Sequence, residues 1–595
     1  MRALPRLTGH FLVLMGTFVL AVPPGGAAPA TTILPRPIID TRPYDPLAPD
    51  GSSLGPSDPA TVYTIPRMPR PAYLAPNMDP TFGTPLMRVT GGFGLGIPSI
   101  WGTWGTDARH VYSKQEPWNA DATLYSIENR NGGSPSVVLL DGNTFAPVAR
   151  PCGNYDFYDY RWHPSRSHSH EQINVNSAGD ELMWFDVTTC TKTRSWKLPI
   201  TVDYGIGSGE GNPSMDGRYV VLGNQTQMFV VDMDPQPPFA PYPSERIGPV
   251  YTIPACNLDD TDSSHCVVNN ISISPLGHYI DVNYDGQTGI TEDAHRIFDV
   301  DLNTLTITGP HAMSPTALRC GADFADRTDG YIFPTKHADM TVDPFDSNEE
   351  VMIGGRSCSE SSIGHVVKIR LRDGQVTALT DPTNEAYVRH VSTRNLERPG
   401  WAYVDFEKEP GMRFSDEIVA VKLDGSGAVQ RLAHMHSASS GCYRCESHPV
   451  PSPDGMRVAF ASNWAQDCVM CGSTWEIKDY VLRVPRPLAG MAATEDEAPS
   501  VDAPAKDHVA FALESAWPNP ATSHVAISYS LGEGGGGHLE MVDVRGRAVW
   551  TRELGGEAPG LHSFDLERDR KWVAGVYWLR LTQPGHTAEQ KVTLL

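Results

Sequence analysis

Short apolar runs separated by polar turns repeat along the chain from about residue 86 to residue 485. In each copy an apolar strand ends at a turn, and a second apolar strand follows at once. The copies are QEPWNADATLYSI (115–127), EQINVNSAGDELMWF (171–185), GNPSMDGRYVVLG (211–223), ISISPLGHYIDVNY (271–284), HADMTVDPFDSNEEVMIGG (337–355), HVSTRNLERPGWAYVDF (390–406) and HPVPSPDGMRVAFAS (448–462). Most are followed by another hairpin, so each unit supplies four strands. Such a repeat predicts small sheets that pack radially.

The predicted fold class is all-β, with a seven-bladed β-propeller at residues 84–485. The segment TPLMRVTGG (84–92) is expected to supply the strand that closes the ring. An array of β-sandwiches is the alternative, although sandwich strands do not recur as one repeated hairpin.

A second β-rich region follows a linker. Residues 486–511 are rich in Ala, Pro and acidic residues and poor in large apolar ones, which is typical of a linker. Residues 512–595 show alternating apolar positions and Gly-containing turns. This pattern predicts a small Ig-like β-sandwich of about seven strands.

The N-terminus has the layout of a signal peptide at residues 1–30. Arg2 and Arg6 precede an apolar run, and Ala28-Pro29-Ala30 forms a cleavage site. The run is too short to span a membrane, and no later stretch is long enough, so we expect no transmembrane span. A buried N-terminal helix is the alternative. Residues 31–83 are Pro-rich and predict an extended lead-in.

The chain is therefore expected to be exported, to the extracellular space or the outer-membrane surface. Its formal net charge of −23 argues against nucleic acid as a partner. Outside the cytoplasm, the even number of cysteines, 10, favours disulfides. Most of the cysteines bracket predicted hairpins: Cys152 and Cys190, Cys320 and Cys358, and the two C-x-x-C pairs Cys442, Cys445, Cys468 and Cys471. Cys256 and Cys266 share one loop before the fourth blade.

The two C-x-x-C pairs leave alternatives open. Crossed disulfides would join Cys442 and Cys445 to Cys468 and Cys471 in either pairing. A four-cysteine zinc site has the same spacing, and a redox-active pair is a third alternative. Covalent haem is not expected, because Cys445 is followed by Glu446 and not by His.

Polar residues near the starts of the innermost strands are the candidate site. The predicted ligand-binding mouth contains Gln115, Gln172, Glu210, Asn270 and Asp339. Imidazoles of His337, His390 and His448 would hold a divalent metal ion such as Zn, Mn or Fe. Arg389, His390 and Lys336 are the catalytic candidates, with Arg389 or Lys336 binding a substrate carboxylate. The alternative is that these side chains only cap strand ends by hydrogen bonding.

The hairpin turns Ser452-Pro453-Asp454-Gly455 and Ser274-Pro275-Leu276-Gly277 resemble the repeats of TolB-like proteins and of oligogalacturonate lyases. The second resemblance implies a metal held by His and Gln at the channel, here His337, His390, His448 and Gln172. It also implies a metal-dependent reaction in which a proton next to a uronate carboxylate is removed.

The C-terminal region is similar to the sorting domain of type IX secretion substrates, which is related to the Ig-like domain of the flagellar hook-capping protein. The matching segments are Asn519-Pro520, Asp543-Val544-Arg545-Gly546-Arg547, Gly575-Val576-Tyr577 and Lys591-Val592-Thr593-Leu594-Leu595. The resemblance implies contact with the secretion machinery. An Ig-like spacer module is the alternative.

We therefore expect an exported propeller that binds a glycan or protein partner as a scaffold. A metal-dependent polysaccharide (uronate) lyase or hydrolase, with its site at the propeller mouth, is the alternative function.

Overall fold

The structure is a computed structural model that describes part of the 595-residue chain. It covers residues 58–149, 152, 160–206, 210–235, 245–256, 267–285, 294–313, 331–332, 337–355, 366–381, 383–438, 442–465, 476–484, 512–517, 521, 524–531, 537–555, 560–567, 571–584 and 586–594. All of these belong to one unit, Ile38–Leu595. The predicted signal peptide and the linker at 486–511 lie outside the described residues.

Short antiparallel strands make up the first part of the chain. They are β1 (Pro76–Met78), β2 (Pro85–Arg88), β3 (Asp107–Arg109), β4 (Leu124–Arg130), β5 (Val137–Asp141), β6 (Pro147–Ala149), β7 (Arg161–Trp162), β8 (Glu171–Val175), β9 (Glu181–Asp186), β10 (Thr191–Lys197), β11 (Tyr219–Gly223), β12 (Gln227–Asp232), β13 (Tyr251–Thr252), β14 (Val267–Ile273), β15 (Tyr279–Asp285), β16 (Ala294–Asp301), β17 (Thr306–Thr308), β18 (Tyr331–Ile332), β19 (Asp339–Asp343), β20 (Glu349–Gly355), β21 (Val366–Arg370), β22 (Val376–Ala378), β23 (Val388–Ser392), β24 (Trp401–Phe406), β25 (Glu417–Lys422), β26 (Val429–His434), β27 (Val450–Pro451), β28 (Arg457–Ser462) and β29 (Ile477–Arg483). Two 3-10 turns, Arg166–His168 and Tyr443–Cys445, lie between strands.

These strands form meanders in chain order, as in the blades of a propeller. β7–β10, β19–β22 and β23–β26 are four-stranded sheets; β14–β17 form another, to which β18 adds on β16. β11–β13 form a three-stranded sheet. The predicted all-β propeller fold is confirmed, whereas the count of seven blades stays a prediction.

The ring is closed by an early strand paired with a late one. β2 pairs antiparallel with β29, with Leu86 opposite Leu482. The predicted role of residues 84–92 as the closing strand is therefore confirmed. β29 also pairs parallel with β3, so the first and last meanders share one sheet.

The hydrophobic core lies between neighbouring sheets. Val221 and Val230, on β11 and β12, pack with Ile271 and Val282, on β14 and β15. Because successive strand residues point to opposite faces, each strand contributes apolar side chains to the contact with a neighbouring sheet. Burying both faces gives the strands their near-continuous apolar runs.

The C-terminal region forms two antiparallel sheets. Its strands are β30 (Ala512–Trp517), β31 (His524–Leu531), β32 (His538–Asp543), β33 (Ala548–Glu553), β34 (Gly560–Glu567), β35 (Gly575–Gln583) and β36 (His586–Leu594). One sheet has the order β30-β31-β34 and the other β33-β32-β35-β36. Both contribute to a single core that includes Ile527, Tyr529, Leu539 and Leu579.

The described part of the predicted lead-in, residues 58–83 and called here the lead-in segment, is held by buried polar side chains of the propeller. Arg431 Nη1 donates to the carbonyl of Thr61 at 2.6 Å, and Trp464 Nε1 donates to that of Met68 at 2.9 Å. Asp79 accepts from the backbone N–H of His434 at 2.8 Å. Backbone groups that find no strand partner are thus satisfied by side chains.

The cysteine pairing differs in part from the expectation. Cys152 bonds Cys190 across 38 residues, as their bracketing of one sheet suggested, and Cys256 is also disulfide-bonded. Cys442 bonds Cys445 within one C-x-x-C motif. The predicted crossed pairing is therefore wrong, and a four-cysteine zinc site is not available because these two thiols are consumed. Cys266, Cys320, Cys358, Cys468 and Cys471 lie outside the described residues.

Candidate functional site

Aromatic and imidazole rings from three sheets meet at one place. Tyr112 follows β3, and its ring centroid lies 5.8, 5.7 and 4.8 Å from those of His337, His390 and His448. His390 lies on β23, while His337 and His448 precede β19 and β27. Because these are the first strands of their sheets, the rings mark the propeller's centre. The mouth is defined here by Tyr112, Lys114, Glu210, His337, His390, Glu446 and His448.

Three side chains of the mouth form a candidate metal-binding triad: His390, Glu446 and His448. Their ligand atoms all lie within 4.8 Å of one another. Oε2 of Glu446 is 3.3 Å from Nε2 of His390 and 3.7 Å from Nε2 of His448. Both Nε2 atoms are buried and have no hydrogen-bond partner among the described residues. Buried polar atoms are rarely left unpaired, and a cation beside Glu446 would give both nitrogens a partner.

The backbone and the neighbouring side chains hold the triad. Glu446 has an extended backbone and His448 a positive φ of 46°, and together they bring Oε2 of Glu446 to 3.7 Å from Nε2 of His448. Nδ1 of His390 faces Asp405 at 3.3 Å, which sets its N–H there and leaves the lone pair on Nε2. Arg109 donates to the carbonyls of Arg444 and Glu446 at 2.7 and 3.0 Å.

Arg109 also contacts Nδ1 of His448. A neutral imidazole carries one lone pair, so a cation on Nε2 of His448 requires this guanidinium to turn away from Nδ1. With that one adjustment the triad offers two imidazoles and a carboxylate, a donor set that suits a divalent transition metal with open coordination positions.

Burial controls the charge of these groups. It lowers the pKa of His390 and His448 well below the usual value, and it lowers that of His337 to about 3. Burial raises the pKa of Glu446 to about 7. At neutral pH the imidazoles are uncharged, which is the state in which they bind metal ions.

A second group of polar side chains lies beside the triad. Nζ of Lys114 is 2.7 Å from Oε2 of Glu210. Burial opposes the charge on Glu210, yet Lys114 and a hydrogen bond from Tyr112 hold the pKa of this carboxyl at about 2. Tyr112 also contacts Nδ1 of His337.

Arg389 brings a positive charge to the triad. It donates to Oε1 of Glu407 at 2.5 Å, and its Nη1 lies 3.4 Å from Glu446. Arg389 is partly exposed. It is thus placed to meet an anionic group that enters beside the triad.

Several predicted site residues lie elsewhere. Gln115 lies in the turn that follows β3, and its Nε2 donates to the carbonyl of Tyr160 at 2.7 Å, outside the mouth. Gln172 lies on β8, the second strand of its sheet, because β7 precedes it. These two placements contradict the prediction.

The other predicted site residues differ in their surroundings. Asn270 donates to Asn283 at 3.3 Å, and Asp339 is paired with Arg394 at 2.8 Å, so both side chains are bound by neighbours. Glu210 pairs with Lys114 beside the triad, and its role in ligand binding stays a prediction. His337 lies 4.6 Å from His390 between ring centroids, and its Nδ1 contacts Tyr112; it is not among the three residues whose ligand atoms lie within 4.8 Å of one another. Lys336 lies outside the described residues.

Sequence reasoning missed Glu446, Lys114 and Tyr112. The signal for Glu446 was present, since Glu446-Ser447-His448 places two ligand types two residues apart in the sequence. Tyr112 and Lys114 lie in the same turn after β3 as Gln115, which the prediction chose instead.

Comparison with known families identifies the C-terminal region. Residues 515–594 match the secretion system C-terminal sorting domain. This domain marks a protein exported to the cell surface or the extracellular space, and it implies contact with the type IX secretion machinery. The sequence prediction of this domain is confirmed. Among the described residues, no helix has the length and apolar character needed to cross a membrane.

Solved structures similar to the chain share little sequence with it. An oligogalacturonate lyase in complex with manganese is 14% identical, covers 69% of this chain and 96% of its own, and has a TM-score of 0.36. The Cps50 (Swd1) β-propeller domain of Myceliophteria thermophila is 13% identical, covers 62% and 96%, and has a TM-score of 0.32. A putative TolB from Agrobacterium tumefaciens is 15% identical, covers 66% and 98%, and has a TM-score of 0.24. No curated protein matches the chain significantly.

Proposed function

We propose that the protein is an exported metal-dependent enzyme that acts on a carboxylate-bearing glycan by uronate lyase chemistry. The observation that carries the proposal is the pair of buried Nε2 atoms, on His390 and His448, that converge on the carboxylate of Glu446 without a partner of their own. Pairing with a cation would satisfy both nitrogens and compensate the buried carboxylate.

His390, Glu446 and His448 would hold the metal ion. A divalent ion there supplies a Lewis acid that withdraws electron density from a bound carboxylate and acidifies the neighbouring carbon. Arg389 supplies a planar guanidinium that pairs with a carboxylate oxygen and orients it. Tyr112 and the buried rings exclude water from the inner side of the triad, which strengthens these electrostatic contacts.

The first experiment measures metal content and activity together. The purified, oxidised protein is stripped with a chelator, titrated with Zn²⁺ and Mn²⁺ by calorimetry, and then given polygalacturonate. We expect one ion per chain, and an ultraviolet signal from the unsaturated product that depends on the ion. His390→Gln and His448→Gln should each remove the site and the activity.

A matched control uses a buried histidine outside the mouth. His434 is fully buried on β26, and its Nε2 also has no hydrogen-bond partner among the described residues. His434→Gln should leave metal stoichiometry unchanged. Equal loss of metal in this variant, or no bound metal in the wild-type protein, would refute the proposal.

A binding role without chemistry is the second candidate, because the mouth lacks an obvious strong base in its described part. The pKa of His337 is lowered to about 3 by burial, and burial raises the pKa of Tyr112 well above its usual value. Burial opposes the charge of Lys114, but Glu210 raises its pKa. A protein that binds the ion and the glycan without turnover would support this role.

A further inference from the structure

An exposed aromatic ring lies beside the mouth. Tyr443 is 54% exposed, whereas Tyr112 of the mouth is buried. The centroid of the Tyr443 ring lies 5.4 Å from that of His448, at an interplanar angle of 57°. Because His448 belongs to the triad, a partly exposed aromatic ring borders the candidate metal site.

The backbone at Tyr443 is restrained by a closed turn. Tyr443 begins the 3-10 turn Tyr443–Cys445, and the disulfide between Cys442 and Cys445 closes this turn. The N–H of Cys445 donates to the carbonyl of Cys442 at 3.0 Å. The N–H of Glu446 donates to the carbonyl of Tyr443, also at 3.0 Å. Both ends of the turn are therefore fixed.

Charged side chains hold the same turn against the first meander. Arg444 donates to the two oxygens of Asp107 at 2.7 and 3.1 Å, and to Glu128 at 3.2 Å. Arg109 donates to the carbonyl of Arg444 at 2.7 Å. These bonds keep the ring of Tyr443 at the surface. A ligand that covers the ring therefore costs little conformational entropy of the protein.

The position of this ring suits a cyclic sugar acid. A hexuronate carries its carboxylate directly on the pyranose ring, so a carboxylate bound at the triad beside Arg389 brings the sugar ring next to His448 and within reach of Tyr443. One face of a pyranose presents C–H groups, which pack on the π face of an aromatic ring. This contact removes apolar surface from water, which favours binding. An open-chain sugar acid has no such face.

We infer that Tyr443 is a stacking platform for the pyranose ring of the ligand, and that it makes the mouth prefer a cyclic sugar acid to an open-chain one. The triad and Arg389 bind the carboxylate of both classes, so the preference comes from the contact with the ring. This selectivity rests on the proposed function, because the carboxylate has to be bound at the triad.

Ligand preference is tested with Mn²⁺-loaded protein and two probes. Methyl galacturonoside has a ring that cannot open, and galactonate is an open-chain acid with similar hydroxyl groups. The wild type should bind the cyclic acid more tightly, and Tyr443→Leu should reduce this preference by about threefold to tenfold. The ratio of the two affinities is the readout, because a distorted metal site would weaken both acids equally. An unchanged ratio in Tyr443→Leu would overturn the inference.

Two control variants separate the ring from its surroundings. Tyr443→Phe keeps the ring without the hydroxyl and should retain the preference; a loss here would assign the preference to the hydroxyl and contradict stacking. Trp101 is 86% exposed and lies outside the mouth. Trp101→Leu should leave the ratio unchanged. An equal loss in this variant would attribute the preference to exposed aromatic rings in general and contradict a platform at Tyr443.

Proton NMR of methyl galacturonoside tests the ring contact directly, with Zn²⁺ as a diamagnetic ion. The wild type and Tyr443→Phe should shift the C–H signals of one pyranose face upfield, because these protons lie over an aromatic ring, and Tyr443→Leu should not. If neither Zn²⁺ nor Mn²⁺ binds, the proposed function is refuted, and the same spectra of the metal-free protein still decide the stacking. No upfield shift with the wild type, or an equal shift with Tyr443→Leu, would overturn the inference.

Discussion

Two buried clusters of the propeller contain the same residue types, arginine, histidine and carboxylates. They differ in which side chains lie next to the buried carboxylate. In the mouth, the carboxylate of Glu446 lies between two imidazoles and 3.4 Å from Arg389. In the cluster beneath the lead-in segment, called here the strap cluster, Arg431 donates to both oxygens of Glu417 at 2.7 and 2.5 Å. His434 of this cluster lies 3.3 Å from Asp79.

The comparison shows how a structural histidine is distinguished from a candidate ligand. Burial opposes a charge on His434, but Asp79 raises its pKa above the usual value. In the mouth, burial lowers the pKa of His390 and His448. The strap cluster is complete because a guanidinium neutralises its carboxylate. In the mouth, Arg389 lies 3.4 Å from Glu446 and donates to Glu407, and burial raises the pKa of Glu446 to about 7; a cation bound by the two neutral imidazoles would favour the ionised carboxylate.

The largest expected effect is the loss of the cation in the strap cluster. Arg431→Met leaves the buried carboxylate of Glu417 uncompensated and removes the donors to the lead-in segment. The free energy of unfolding should fall by about 3–5 kcal/mol, measured by urea denaturation at pH 7. Arg166→Met, which breaks an exposed pair with Glu397, should change it by less than about 1 kcal/mol. Equal losses would show that the strap cluster is not a completed ion pair.

Removing the charge of the mouth should act on metal binding instead. Glu446→Gln keeps the shape of the side chain and removes an anionic ligand, so affinity for Zn²⁺ or Mn²⁺ should drop by at least about 10–100-fold in calorimetry. Thermal unfolding of the metal-free variant should match that of the wild type. Unchanged metal affinity in this variant would show that the ion does not bind at the triad.

The pH dependence of stability should have opposite signs for two buried histidines. The raised pKa of His434 gives stability that is present below the unfolded value, about 6.5, and is lost as pH rises through the folded pKa. His434→Gln should therefore be most destabilised relative to wild type at acidic pH.

His163 provides the mirror case. Its Nδ1 accepts from the N–H of Ser165 at 3.1 Å, and burial lowers its pKa to about 3. The wild type should thus lose stability relative to His163→Asn as pH falls from about 6.5 towards 3. Melting temperatures across pH 4–9 would check both slopes, and slopes of the same sign would contradict the assigned charges.

The smallest expected effect concerns the disulfide beside the mouth. Cys442 and Cys445 close a short loop directly before Glu446. The double variant Cys442→Ser/Cys445→Ser should weaken metal binding by less than about tenfold, because the carboxylate is no longer held before the ion arrives. Cys152→Ser/Cys190→Ser should lower stability by about 2–4 kcal/mol without altering metal affinity. Weaker metal binding in the Cys152→Ser/Cys190→Ser variant would show that the effect is not specific to the disulfide next to Glu446.

The sequence was sufficient for the fold because the repeated hairpin is a local pattern. Turn residues and apolar runs predicted the meanders, the closing strand at 84–92 and the C-terminal sheets. The sequence was insufficient where side chains lie in turns. Tyr112, Lys114 and Gln115 follow β3 in a turn, where the alternation of a strand does not indicate which side chain faces the centre.

The site depended on contacts between distant segments. The short strand β7 was not recognised, so Gln172 was assigned to the wrong strand. The pairing of Cys442 with Cys445 was missed because spacing alone does not fix connectivity. Glu446 is two residues before His448 in the sequence. Only the structure shows that the buried Nε2 atoms of His390 and His448 both lie close to its carboxylate.

The pairing of β2 with β29 also has a consequence for how the chain is made. Met87 is paired with Val481, so the last contact of the ring joins segments that are synthesised far apart in time. Until β29 is available, β2 has no partner on that side, and β29 is an open edge until β2 reaches it. Ring closure is therefore a late, slow step governed by long-range pairing. A ribosome-bound or translocating chain that ends before residue 477 should remain sensitive to proteases, and full resistance should arise only when β29 has emerged.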